Sequence, residues 1–144
     1  MDSWNQGDSY DRYMGRWSRL IARTFIEWLA VPVGSDWLDV GCGTGALAGV
    51  IAESGGPNRI SGIDPSSAFI EVARRKLGEG PDLRVGDARD LPYATSEFDA
   101  AVSGLALNFI PDPEVAVGEM RRVTRRRSGS RLRLGLWRRD GDDS

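Results

Sequence analysis

Trp37-Leu-Asp-Val-Gly-Cys-Gly-Thr-Gly-Ala46 is the stretch that decides the fold of this chain. Leu38 and Val40 suit the interior of a parallel sheet, and they run into three alternate glycines, Gly41, Gly43 and Gly45, with Cys42 and Thr44 between them. Glycine lets the backbone turn sharply and lets a ligand approach where a side chain would block it. Helical spacing resumes at Ala46, Leu47, Val50 and Ile51, so the loop opens a helix whose first N–H groups have no intrahelical acceptor. Polar atoms of a ligand can be held there by backbone alone. Asp39, at the strand tip, either orients a ligand or holds the loop by accepting N–H bonds. Taken alone, such a loop is also compatible with a tight structural turn.

The next segments narrow the choice. Arg59-Ile-Ser-Gly-Ile-Asp64 reads as a second strand ending in an acid, with Pro65 and Ser66 leading into a new helix. Asp64 lies 21 positions after Gly43, the spacing at which an acid grips a ribose diol in doubly wound folds. A third strand, Asp82-Leu-Arg-Val85, meets Gly86, Asp87 and Ala88. Three successive strands thus aim Asp39, Asp64 and Asp87 at one edge, although any single one of them also suits an N-cap or a turn. Helices are predicted at about Gly45–Glu53, Ser66–Leu77 and Pro113–Val123. An earlier one, with Leu20, Ile21, Phe25, Trp28 and Leu29 on its apolar face, is ended by Pro32. Alternating strand and helix predict an α/β fold, a Rossmann-like parallel sheet with right-handed crossovers and helices on both faces.

On these residues the chain resembles the class I S-adenosylmethionine-dependent methyltransferases, in particular the type 11 group related to the ubiquinone and menaquinone C-methyltransferases. The family's first motif matches Leu38-Asp39-Val-Gly41-Cys-Gly43-Thr44-Gly45, its second-strand acid matches Asp64, and its adenine-side loop matches Gly86-Asp87-Ala88 with Leu91-Pro92. Phe98-Asp99-Ala-Ala-Val102, with Ser103 to Phe109, matches the fourth strand and its loop. The resemblance implies S-adenosylmethionine as cofactor, held by Asp39, Gly41, Cys42, Gly43, Thr44 and Gly45 at the methionine part. It places Asp64, Pro65 and Ser66 at the ribose, Asp87 and Ala88 at the adenine, and Ser103 at the fourth strand's end. An N-terminal segment, 1–35, is implied to cover the cofactor, with Tyr13, Met14, Arg16 and Trp17 toward the methyl acceptor. Residues 36–123 form the cofactor-binding core. The rival within the fold is a nicotinamide-dependent oxidoreductase, because Gly41-x-Gly43-x-x-Ala46 also satisfies the dinucleotide fingerprint. No Tyr-x-x-x-Lys pair is present for hydride chemistry.

Composition sets further bounds. The chain has 144 residues, 40% of them hydrophobic and 28% charged, which suits one domain with its own core. With no histidine and a single cysteine, zinc catalysis and serine–histidine triads are excluded, and any general base is Asp, Glu or Tyr. Cys42 cannot form an internal disulfide and reads as loop packing rather than as a nucleophile. Tyr10, Tyr13 and Tyr93 are candidates for lining an acceptor pocket. A catalytic acid or base is not assigned, because methyl transfer from an activated sulfonium depends mainly on positioning. No apolar run is long enough to span a bilayer and no signal peptide is recognisable, so a cytoplasmic protein is expected, with a small-molecule acceptor and neither nucleic acid nor membrane as partner. The oligomeric state is left open.

The end of the chain, 124–144, departs from the family pattern. From Arg121 onward there are nine arginines against three acids, while residues 1–120 carry ten basic and eighteen acidic residues. Where relatives have a Pro-Gly-Gly turn, a fifth strand and further elements, this chain reads Thr124-Arg-Arg-Arg-Ser-Gly-Ser-Arg-Leu-Arg-Leu-Gly-Leu-Trp137. A reading-frame change near Arg125, or a truncation that removes strands six and seven, is the favoured expectation; a cofactor-binding remnant without turnover then becomes the alternative function. A fifth edge strand with Leu132, Leu134 and Leu136 on one face is the second reading, and a nucleic-acid-binding arm the third.

Overall fold

Short apolar runs alternate with amphipathic segments along the chain, and the computed structural model, which describes residues 19–104, 110–126 and 134–136, folds them in that order. A helix over 19–29 (α1) leads to β1 (Asp36–Val40), α2 (Ala46–Ser54), β2 (Arg59–Asp64), α3 (Ser67–Leu77), β3 (Asp82–Val85), β4 (Ala100–Ser103), α4 (Pro113–Val123) and β5 (Leu134–Leu136). The strands form one parallel sheet in the order β3-β2-β1-β4-β5. After β3 the chain returns to the far side of β1, so the order switches between β1 and β4. Parallel α/β sheets bind ligands in the crevice at the carboxyl ends of the strands at such a point. Register brings Ile63 and Ser103 level with Val40, and Val85 level with Asp64, on that edge.

Side-chain alternation divides β1 between two cores. Trp37 packs with Ala22, Phe25, Ile26 and Leu29 of α1 and with Ala48, Val50 and Ile51 of α2. Leu38 and Val40 point the other way, into a core with Ile63, Ala101, Phe98 and the Ala116, Met120 and Val123 face of α4. A smaller cluster of Cys42, Ile70, Ala73 and Leu83 seats α3. Because β1 is covered on both faces, the buried stretch after Asp36 is apolar except for Asp39.

Element ends differ from expectation for local reasons. Gly45, at φ +90°, is the cap of α2 rather than its first residue, and the Ser66 hydroxyl caps α3 by accepting from the Phe69 N–H at 3.2 Å. Ala30, at φ +50°, ends α1 before Pro32 is reached. Phe98 was expected in the fourth strand but precedes it. Its N–H donates to the Val123 carbonyl and its carbonyl accepts from the Arg125 N–H, which pairs it with Thr124 beyond α4.

Leu134–Leu136 lies parallel to Ala101–Ser103 at one edge of the sheet. Arg125 is tied to the amino-terminal end of the sheet. Its guanidinium reaches Asp99 at 3.1 Å and Asp36 at 3.5 Å, and its Nε donates to the Ser96 carbonyl at 3.1 Å. Leu132 and Trp137 lie outside the described residues. Among the described residues, no helix is long and apolar enough to cross a membrane.

Candidate functional site

The glycine loop leaves β1 at Gly41, whose N–H and that of Cys42 both donate to the Ile63 carbonyl, at 2.8 and 3.0 Å. This ties the loop to the end of β2. Its three glycines do different things. Gly41 turns the chain at φ +72°. Gly45 is buried against α3, where a Cβ would come within 2.8 Å of Leu77 Cδ1. Gly43, at φ +56°, has nothing within 4 Å of a Cβ position. Among the described residues, Gly43 is therefore where the loop presents bare backbone with nothing over it, and Thr44 beside it is half-buried.

Cys42 packs inward over the sheet, and a Cβ on Gly62 would lie 3.1 Å from its Sγ. Burial, with Asp39 and then Asp64 adding to it, pushes the thiol far above its usual range, which disfavours the thiolate.

Two acids lie under the loop. Asp64, at the end of β2, accepts from the Gly43 N–H at 3.0 Å with one oxygen and from the Ser66 N–H at 2.9 Å with the other. It braces the loop against the start of α3. Asp39 is only 1% exposed and neither of its oxygens has a hydrogen-bond partner. Its carboxyl is pushed up to about 8, first by burial and then by Asp64, against a lowering pull from the Ala48 N–H in the first turn of α2. Ser103, fully buried at the tip of β4, also has an unpartnered hydroxyl.

The third acid behaves differently. Asp87 is exposed and is held by Arg89, which donates through its backbone N–H at 2.9 Å and through its guanidinium at 2.8 to 3.1 Å. These bonds hold its carboxyl below the usual range. Ala88 turns inward to the α4-side core, and Pro65 is exposed beside Ser66. Tyr93, a candidate for lining an acceptor pocket, is buried in the core edge-to-face with Phe98, 5.1 Å between ring centroids, under the guanidinium of Arg84. Tyr10, Tyr13, Met14, Arg16 and Trp17, and residues 105–109 after β4, lie outside the described residues.

A clamp that sequence reasoning missed positions the loop after β3. Glu119 on α4 accepts from the Leu91 N–H at 3.0 Å, while Arg122 pairs with Glu119 and donates to the carbonyls of Leu91 and Tyr93 at 3.0 and 2.9 Å. The Glu–Arg spacing of three on one helix face was visible in the sequence, but its backbone partners were not.

A family model described as a methyltransferase domain matches residues 38–129. The 2-phytyl-1,4-naphtoquinone methyltransferase of Synechococcus elongatus is 36% identical over 111 residues, 73% of this chain and 48% of that protein. The demethylmenaquinone methyltransferase of Staphylococcus aureus is 36% identical over 98 residues, 66% of this chain and 41% of that protein. This chain thus spans less than half the length of these two curated relatives. Among solved structures, a Methanococcus maripaludis protein provisionally assigned as an S-adenosyl-L-methionine-dependent methyltransferase superposes with a TM-score of 0.77 at 22% identity, over 92% of this chain and 61% of that one, which establishes likeness of fold. The chain belongs to the methyltransferase domain family, on the class I Rossmann-like fold.

Proposed function

We propose that this chain binds S-adenosylmethionine over the Gly41–Gly45 loop and serves methyl transfer to a small-molecule acceptor, with a quinone-like ring as the first class to try. The observation that carries this reading is Gly43: a left-handed glycine with open space at its Cβ position, directly above a carboxylate that holds its N–H. S-adenosylmethionine brings a methyl group on a positively charged sulfur, together with an ammonium and a ribose diol. The residues present fit those features. Asp39 and Ser103 are buried polar groups without partners at the same sheet edge, and no cation is paired with Asp64 among the described residues.

In this reading Gly43 and the first turn of α2 take the amino-acid end. Each Asp64 oxygen keeps a second lone pair for a ribose hydroxyl while it holds the loop. The segment of Asp87 and Ala88, steadied by the Glu119–Arg122 clamp, borders the adenine, and Cys42 and Thr44 shape the loop. Tyr13, Met14, Arg16 and Trp17 remain the proposed acceptor side. The protein's contribution to the reaction is then to hold the acceptor in line with the methyl group and to exclude water. The quinone class comes from the names of the two curated relatives.

The test is thermal unfolding with and without S-adenosylhomocysteine. A ligand at a hundred times its Kd stabilises the native state by about 2.7 kcal/mol, or roughly 8 °C for a domain of this size. Asp64→Ala should remove most of that shift. A wild-type chain that unfolds cooperatively with no shift would defeat the cofactor assignment. A shift without methylation of any quinone offered would restrict the reading to binding without turnover.

A further inference from the structure

The two carboxylates under the loop are treated unequally. Asp64 commits both oxygens to backbone donors, whereas Asp39, among the described residues, has no partner in hydrogen-bond geometry and feels only the pull of the Ala48 N–H. Alternation along β1 puts Asp39 on the side of Trp37, the face that α1 and α2 cover, beneath the first turn of α2. An ionised carboxylate there would be stripped of water and set beside a second carboxylate, with only amide dipoles in its favour.

Among the described residues, the titratable groups that act on it are Asp64 from β2 and the Cys42 thiol from the loop. β4 carries no titratable side chain, and Glu53 of α2 stands at the opposite end of that helix. On α3, Arg74 donates to the Leu83 carbonyl, and the Arg and Glu side chains of α1 are exposed.

Resting on the S-adenosylmethionine reading above, we propose that Asp39 is a neutral carboxylic acid in the ligand-free protein and ionises when a ligand bearing an ammonium enters over Gly43, so that cofactor uptake releases one proton. The Asp39 O–H bond breaks, its electron pair stays on the carboxylate, and the proton leaves to bulk water. The ligand need not touch Asp39, because in a poorly hydrated enclosure a positive charge several ångströms away shifts the balance between acid and carboxylate. Burial and Asp64 already raise this carboxyl to about 8, which puts the ionisation within reach near neutral pH. Asp39 is thus a specificity-determining residue. It makes the site favour the charged cofactor over neutral nucleosides that share its adenine and ribose, and the preference grows as pH rises toward 8.

Isothermal titration calorimetry of the full chain with S-adenosylhomocysteine and with adenosine, between pH 6 and 8 in buffers of different ionisation heat, tests this. S-adenosylhomocysteine should release close to one proton at pH 6.5 and bind about tenfold more tightly per pH unit. Adenosine should bind with no proton released. Asp39→Asn should abolish the release and flatten the pH dependence. Wild-type binding that is independent of pH and of buffer would overturn the proposal alone, as would an Asp39→Asn chain that releases the proton normally. Absence of any S-adenosylhomocysteine binding would overturn the cofactor reading and this inference together.

A ligand-free measurement stands beside these. With its carboxyl raised to about 8 in the folded chain, Asp39 keeps its proton well above the ordinary aspartate value of 3.8, near which the unfolded chain gives it up. This group's stabilisation is therefore fully present below that value and is lost as pH rises through 8. Wild type should lose thermal stability relative to Asp39→Asn between pH 5 and 8; parallel pH profiles would overturn the proposal.

Discussion

The two ends of the sheet carry acids in similar number, and Asp39 and Asp64 at the carboxyl end, unlike Asp87 with its Arg89, are handled in the opposite way to the acids of the amino-terminal end. At the amino-terminal end, Asp99 accepts from the Asp36 N–H at 2.8 Å and from Arg125 at 3.1 Å. Asp36 accepts from Asn58 at 2.8 Å and faces Arg125 and Arg59 at 3.5 and 3.9 Å. Arg59 continues to Glu97 at 3.4 Å and lies over the Phe98 ring. Each of these carboxylates has a cation beside it. At the carboxyl end, among the described residues, no cation is paired with Asp39 or Asp64. The amino-terminal end closes its charge within the chain and so belongs to the fold. At the other end, among the described residues, Asp39 and Asp64 have no cation beside them, which suits a cationic cofactor.

The largest expected effect probes the closed end. Asp99→Ala removes the acceptor for the Asp36 N–H and a partner of Arg125, both in a half-screened setting, and should lower stability by about 2–3 kcal/mol. Denaturant titration would measure it, and the affinity of the remaining folded protein for S-adenosylhomocysteine should be unchanged. An affinity that falls along with stability would show that the ends are not independent.

A smaller effect separates two residues within the loop. Gly45→Ala meets Leu77 at 2.8 Å and forces a side chain into φ +90°, so a loss of about 2 kcal/mol is expected. Gly43→Ala meets nothing and carries only the left-handed strain, about 1 kcal/mol. Ligand binding should rank them the other way, with Gly43→Ala losing tenfold or more in affinity and Gly45→Ala much less. Equal ratios of binding loss to stability loss would break the distinction between a packing glycine and a ligand-facing one.

What the sequence made legible follows from the range of the interactions involved. Strands β1 to β3, and helices α2 to α4 to within a residue at each end, follow from local patterns such as the alternation around Leu38 and Val40 and the Pro113 start of α4. The loop and the position of Asp64 were legible because glycines and a strand-end acid are local signals with a fixed order. The division of labour among Gly41, Gly43 and Gly45 was not, since it depends on Leu77 arriving from α3. Nor was the bond from Gly43 to Asp64, which joins residues 21 apart. The ion pairs of Arg125 were not legible for the same reason: its partners Asp36 and Asp99 come from two other strands' approaches, and composition alone made it one arginine of a basic run. Tyr93 was ambiguous because an aromatic with a hydroxyl serves a core or a pocket equally well, and only its place against Phe98 decides.

The smallest expected effect is a reactivity that stays low. Burial pushes the Cys42 thiol up, with the carboxyls of Asp39 and Asp64 adding to it, so the thiolate should be scarce throughout the neutral range. Native protein treated with iodoacetamide at pH 8 should remain unalkylated over a time in which the urea-unfolded chain reacts completely. The rate should go on rising with pH through 9 without a plateau. Occupancy by S-adenosylhomocysteine should slow it further, because closure over Gly43 shields the loop and an ionised Asp39 adds negative charge next to the sulfur. A thiol that alkylates readily at neutral pH would mean that the field under the loop is compensated by some cation after all, and the contrast between the two ends of the sheet would then collapse at its smallest observable.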